Sequence, residues 1–221
     1  MINLFLSLLN YIFPVYCCQC KKEGSFLCDQ CLKEKIVIQP QQIASNNLEK
    51  TGSDQYYDFL IVATNYEKNI IIQKLLKKLK YYFAFEIAAI LAKILQKKLL
   101  QEKINIKDYD IVPVSLHWKR FLQRGFNQSY LLAKNLGPTT NLLKRIKNTP
   151  QQAKLNKHDR ENNVREAFIF KGKTVPAKVL LIDDVASTGA TLNECAKVLK
   201  QAGVQEVLGL VVSSNVKLDN L

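Results

Sequence analysis

The stretch KVLLIDDVASTGATLNECAKVLKQAGVQEVLGLVVSS, residues 178–214, decides the fold of this chain. KVLLID (178–183) is a near-continuous apolar run, the pattern of a strand covered on both faces, as strands of parallel sheets are. Asn193 to Ala202 reads as a helix ended by Gly203, and VQEVLGLVVSS (204–214) as the next strand. Strand, helix and strand in that order make a βαβ unit. The expected architecture is α/β, with an open, mainly parallel sheet flanked by helices. Such sheets take their ligands beyond the carboxyl ends of the strands, and Asp183 and Asp184 stand at that end.

Two adjacent carboxylates repel one another, so the pair needs a purpose. The residues that follow, Ser187, Thr188, Gly189, Ala190 and Thr191, are small and mostly hydroxylated, and they lead into the helix. A helix N-terminus offers N–H groups and a partial positive charge, so phosphate is its natural ligand. Gly189 permits a left-handed turn or a close backbone approach. Acids aimed at a phosphate are counterproductive. The vicinal hydroxyls of a ribose suit them better, with a Mg²⁺ nearby held partly by the substrate's own oxygens. A plain Thr191 helix cap beside solvated acids is the simpler alternative. A Walker B strand also ends in acids, but it requires a G-x-x-x-x-G-K-[ST] loop, and the chain has none.

LLIDDVASTGAT resembles the phosphoribosyl pyrophosphate (PRPP) motif of type I phosphoribosyltransferases: an apolar strand, two acids, two spacers, then S/T-T-G-x-T. The resemblance implies that Asp183 and Asp184, the candidate catalytic residues, hold the ribose hydroxyls. It also implies that the loop from Ser187 to Thr191 cradles the 5′-phosphate.

Outward from this unit, DFLIVATNY (58–66), YDIVPV (109–114) and AFIF (167–170) read as further strands. Amphipathic helices are expected over 69–80, with Ile71, Leu75 and Leu79 on one face, and over 86–100, with Ile87, Ile90, Leu91, Ile94 and Leu95 inward. Residues 39–55 are polar and turn-rich and read as a linker. It separates an N-terminal unit (1–38) from the main domain (56–221). The opening MINLFLSLLNYIFPVY is too short and interrupted to span a bilayer and lacks the marks of a secretory signal. It reads as a short docking helix, and the protein as cytoplasmic with no transmembrane segment.

Five of the six cysteines lie between positions 17 and 31. Cys17-x-x-Cys20 and Cys28-x-x-Cys31 are two knuckles separated by seven residues. Each tight turn converges two thiolates, and together they complete a tetrahedral, structural Zn²⁺ site. Cys18 is a spare thiol and Cys195 a core residue.

Thirty-two Lys and Arg against 19 Asp and Glu give a net charge of +13, which favours a polyanionic partner. Lys-rich composition alone is the plainer source of that charge. The segment after YDIVPV concentrates the pattern: His117, Lys119, Arg120 and Arg124 alternate with Trp118, Phe121 and Phe126. Cations among aromatics suit a polyphosphate or single-stranded nucleic acid; an ordinary amphipathic helix with a basic outer face is the alternative.

Four ordered features, the four-cysteine N-terminus, V-P-V with R-G-F-N-Q, the series Arg145, Thr149, Gln152, Leu155, Arg160, Asn163, Ala167 and Phe168, and the PRPP motif, resemble the ComF family of competence-associated proteins over essentially the whole chain. The family implies a phosphoribosyltransferase-type domain with an N-terminal zinc module. It also implies a role in DNA uptake and natural transformation, with PRPP or a related ribose phosphate, Mg²⁺, single-stranded DNA and other DNA-uptake proteins as partners. Phosphoribosyl transfer is the chemistry such a domain implies. Ser115, His117, Lys119, Arg120, Arg124 and Arg160 are the candidate diphosphate or nucleic-acid contacts. The family's Lys-Tyr-x-Gly stretch departs here: YYFAFE after Lys80 lacks the glycine. The competing reading, a nucleotide-salvage enzyme acting on a free base, leaves the zinc module and the charge without a use.

Overall fold

The computed structural model describes residues 14–39, 42–44, 55–81, 85–149 and 164–214. The expected docking helix at the N-terminus therefore lies outside the described residues, as do most of the linker and Arg160.

In chain order the elements are α1 (Asp29–Glu34), β1 (Gln42–Ala44), β2 (Phe59–Asn65), α2 (Ile70–Tyr81), α3 (Glu86–Gln101), β3 (Asp110–Pro113), α4 (Trp118–Arg124), α5 (Gln128–Lys134), β4 (Leu143–Arg145), β5 (Phe168–Phe170), β6 (Lys178–Ala186), α6 (Ala190–Gln201) and β7 (Glu206–Ser214). The main sheet runs β1-β2-β7-β6-β3. Its last four strands are parallel, and β1 closes one edge antiparallel to β2. The fold is α/β with a parallel sheet flanked by helices, as the βαβ pattern predicts.

Side chains of a strand alternate between the two faces, and here each face has its own core. Leu180 and Ile182 of β6, Ile61 and Ala63 of β2, and Leu208 and Leu210 of β7 pack with α2, α3 and α5 on one side. Val179 and Leu181, Leu60 and Val62, and Val207 and Val211 pack with α6 and the β4–β5 hairpin on the other. Each fully buried Leu or Ile contributes about 1.5–3 kcal/mol, so both faces fix the register of β6, and with it the position of the acids.

The cysteine-bearing segment belongs to the first of these cores. Cys17, Cys18, Leu27, Cys31, Leu32 and Ile36 are buried in the same cluster as Ile72, Leu75 and Leu76 of α2. Lys98, on the inner face of α3, is fully buried. Its ammonium donates to the Gln39 carbonyl at 2.6 Å and pairs with Glu102, tying the exit of the cysteine segment to α3, while the Gln39 N–H donates to the Ala63 carbonyl of β2 at 2.9 Å.

Four features differ from the sequence expectation or refine it. β6 continues past Asp183 to Ala186, because Val185 and Ala186 still pair with Ser213 and Ser214 of β7. α6 begins at Ala190 rather than Asn193, because Gly189 at φ 78° turns the chain directly into the helix. The basic segment, expected as a loop and a helix, forms two helices. Gly125, at φ 77°, ends α4 with its N–H on the Phe121 carbonyl at 2.7 Å, and Asn127 caps α5 by accepting from Ser129 N–H. The AFIF strand lies outside the main sheet, paired with β4.

Candidate functional site

The acids sit near the carboxyl end of β6, flanked by β3 and β7. Asp184 follows the alternation of Leu180 and Ile182 toward the face that carries α2, where the Lys80 ammonium forms an ion pair with its Oδ2. Asp184 is buried and Lys80 mostly so. The lysine is thus a built-in counter-ion for one of the two carboxylates. Burial opposes the Lys80 charge, but the adjacent Asp184 and Asp183 overcome it and hold its pKa above the usual lysine value.

Asp183 is handled differently. Its Oδ1 accepts from Ser129 Oγ at 2.7 Å and from the Asp184 N–H at 2.9 Å. Burial, and then the neighbouring Asp184 charge, push its carboxyl up to about 7 despite these donors and Lys80. The pair therefore carries less than two full negative charges near neutrality, which resolves the repulsion that the sequence poses.

Beyond the acids, a small hollow is lined by Asp183, Ser187, Gly189 and Thr191 among others. Gly189 is packed against buried Tyr57: a Cβ there would lie 3.2 Å from the Tyr57 hydroxyl. Ala190 N–H donates to Thr188 Oγ1 at 3.3 Å, and the Asn193 Oδ1 accepts from Tyr56 N–H at 2.7 Å, which ties α6 to the entry of β2. Helix N-terminus, hydroxyls and the Asp183 carboxyl thus meet on one rim. As a cage for a resident divalent ion the acids are poor, since Lys80 already neutralises Asp184 and two donors occupy Oδ1 of Asp183. A Mg²⁺ fits only where substrate and water supply most of its ligands, which is the habit of that ion.

The predicted basic residues divide. His117 is buried and caps α4, its Nδ1 accepting from Lys119 N–H at 3.3 Å. Burial, and then the charges of Arg145, Lys119 and Arg120, lower its pKa below the usual histidine value. Ser115 Oγ donates to the Leu143 carbonyl at 2.7 Å, tying the end of β3 to β4. Arg120 reaches the Thr149 carbonyl at 2.5 Å, and Arg124 the Gln128 Oε1 at 2.7 Å. Lys119 is exposed, with its ammonium 5.6 Å from the Trp118 ring centroid.

Several residues at the site escape a reading of the sequence. Ser129 directly follows the R-G-F-N-Q run, and a small hydroxyl just inside a capped helix is the signal that finds it. Tyr57 offers no local signal, and Lys80 is marked only by the Lys-Tyr-x-Gly resemblance, which does not say that it meets Asp184. Arg145 lies in the spaced series, and its Nη2 donates to Thr149 Oγ1 at 2.6 Å while its guanidinium lies 5.2 Å from the Phe168 centroid. Cys195 is buried on α6 as expected; burial and Asp183 push its thiol well up.

The four cysteines converge. The sulfurs of Cys17, Cys20, Cys28 and Cys31 all lie within 4.8 Å of one another. Tetrahedral zinc with Zn–S bonds of 2.3 Å sets its sulfurs about 3.8 Å apart, and the Cys20 and Cys28 sulfurs are 3.6 Å apart. The cluster has the geometry to hold a zinc ion. Burial works against ionising Cys17, yet the N–H groups of Cys20, Cys28 and Gln19 bring its thiol down to about 6. Burial and the three neighbouring sulfurs push Cys31 up to about 12.

No family model matches the chain. Among characterised proteins it is 29% identical over 211 residues to Competence protein F of Haemophilus influenzae, spanning 88% of this chain and 82% of that one. It is 34% identical over 126 residues to Competence protein ComFC of Streptococcus pneumoniae, spanning 57% of each. It is 32% identical over 143 residues to the DNA utilization protein YhgH of Salmonella typhimurium, spanning 60% of this chain and 63% of that protein. The match thus covers less than two thirds of the length of ComFC and of YhgH.

Proposed function

We propose, from the premise that the chain belongs to the ComF family of competence-associated proteins, that it handles incoming DNA on the cytoplasmic side during natural transformation, gripping a ribose phosphate at the Asp183–Asp184 loop and single-stranded DNA on its basic surface. The names of its relatives, two competence proteins and a DNA utilization protein, support the DNA role. The observation that carries the ribose-phosphate reading is the placement of both acids near the carboxyl end of β6, with the left-handed Gly189 delivering the chain into α6 immediately after.

In this reading Asp183 and Asp184 accept from the ribose hydroxyls. The hydroxyls of Ser187, Thr188 and Thr191, with N–H groups at the start of α6, take the 5′-phosphate. A Mg²⁺ bound with PRPP would offset the charge of the diphosphate. Lys80 pairs with Asp184 and orients it, and Ser129 orients the Asp183 oxygen it donates to. Binding needs nothing more. Phosphoribosyl transfer needs an acceptor in addition, and release of diphosphate from Mg-PRPP with and without single-stranded DNA distinguishes a transferase from a binder. The four cysteines hold a structural zinc that shapes the N-terminal segment.

The test is complementation. A naturally transformable strain lacking its own ComF-family protein is supplied with this chain or with its Asp183→Asn, Asp184→Asn variant, at matched protein levels. Rescue by the unaltered chain and loss of rescue by the variant are expected. Full rescue by the variant would separate the DNA role from the ribose-phosphate site and refute the combined reading.

A further inference from the structure

A second concavity lies on the opposite side of α5 from the acids. Ser129 and Leu132 of that helix are buried toward the sheet, and Ser129 reaches Asp183. Tyr130, on the same helix, faces a cleft of about 530 Å³ beside the edge strand β3, within the roughly 300–1,000 Å³ of sites that enclose small ligands. Trp118, Phe121 and Tyr130 line it and are 60%, 48% and 43% exposed. Three large aromatic rings left open to solvent around one hollow call for a ligand with faces to stack.

The charge around the cleft is of one sign. Lys144 and Lys171 are exposed on its wall, no Asp or Glu is among its lining residues, and Lys119 sits over the Trp118 ring. Arg145 also lines it. That side chain is only 6% exposed, and its Nε is buried without a hydrogen-bond partner among the described residues. No carboxylate forms a salt bridge with it among them. A buried guanidinium with an unused donor is costly unless an anion or acceptor arrives. Rings for bases, and cations without acids for phosphates, are the two requirements of sequence-blind binding to a single strand.

We propose that this cleft is where a single nucleic-acid strand is held, with a base stacked on Trp118 and Tyr130 and the adjoining phosphates on Arg145, Lys144 and Lys171. The proposal rests on the DNA reading above and gives it a location distinct from the ribose-phosphate loop, with α5 as the wall between the two.

Trp118 is the only tryptophan in the chain, so its fluorescence reports the cleft directly. The full chain is titrated with a dT oligonucleotide and with an oligomer of the same length made of abasic deoxyribose phosphates. Quenching by the dT strand is expected, with at least about fivefold weaker binding of the abasic strand, the loss of one base stack. Trp118→Ala and, separately, Tyr130→Ala should weaken dT binding by a similar factor, read by anisotropy of a labelled strand, while the thermal shift given by Mg-PRPP stays unchanged. Equal affinity for the abasic strand, or dT binding without quenching, overturns the cleft and leaves the DNA reading standing on other phosphate contacts. Absence of any oligonucleotide binding removes the DNA reading and this proposal together. A dimer in sedimentation that Trp118→Ala dissolves, and that the dT strand does not, assigns the cleft to a second copy and overturns the proposal.

Discussion

Asp183 prefers to be neutral in the folded protein. Its carboxyl is up at about 7 because it is buried beside Asp184, whereas in the unfolded chain it ionises in the ordinary carboxylate range near 4. Between those values the native state binds the extra proton, so the contribution of this residue to stability is present below the ordinary range and is lost as pH rises toward and through 7. Asp183→Asn keeps an oxygen for Ser129 and the Asp184 N–H but removes the ionisation. Melts followed by circular dichroism should therefore show the variant more stable than the parent at pH 8, with the gain shrinking as pH falls through 7 toward 5. A gain that does not change with pH would contradict the assignment. The same residue shows where sequence reading works and where it stops. The motif around 183–191 identifies both acids, because apolar run, acids and hydroxylated turn are contiguous. It does not reveal that Lys80 neutralises one and Ser129 holds the other. Those partners come from α2 and α5, distant in the chain and brought to β6 only by packing of the sheet's face.

Among the elements, the loop between β6 and α6 is the most constrained. Gly189 stands at φ 78° with the Tyr57 hydroxyl beneath it, so Gly189→Ala must adopt a left-handed backbone and push the Tyr57 hydroxyl back slightly. The left-handed backbone alone costs about 1–2 kcal/mol, and a lowered melting temperature in the absence of ligand checks it. The cysteine segment makes a separate prediction. Because Cys17, Cys31, Leu27 and Leu32 share a core with α2 and α3, stripping zinc should loosen that face as well as the segment itself. Elemental analysis should give one zinc per chain, and a chelator should lower the melting temperature; a zinc-free protein whose melt ignores the chelator would contradict the site. Both C-x-x-C knuckles were legible because metal spacing is local. The strands β1 and β4 are not: QIA and LKR are three residues each and lack the apolar, aromatic run that marks FIF of β5. The early start of α6 is not legible in the sequence because Gly189 reads equally as a loop residue or as the turn that begins a helix.

For the molecule as a whole, the parallel sheet sets the acid–loop site beside β3, and α5 separates it from the aromatic cleft. Among the described residues, no helix is long and apolar enough to cross a membrane. The net charge of +13 predicts that binding of single-stranded DNA weakens steeply with salt. Each phosphate contact contributes about −0.7 to the slope of log K against log salt, so three or more contacts give a slope steeper than about −2. A flat salt response would place the basic surface outside any DNA contact. The central claim, however, is that the Asp183–Asp184 loop grips a ribose phosphate, and the thermal shift produced by Mg-PRPP tests it most directly. At a ligand concentration about a hundredfold above Kd, the stabilisation is about 2.7 kcal/mol, or roughly 5–10 °C for a chain of this size. That shift is expected in the unaltered protein and absent when Asp183 and Asp184 are both replaced by Asn. No shift in the unaltered protein at millimolar Mg-PRPP, or an equal shift in the double variant, would contradict the account.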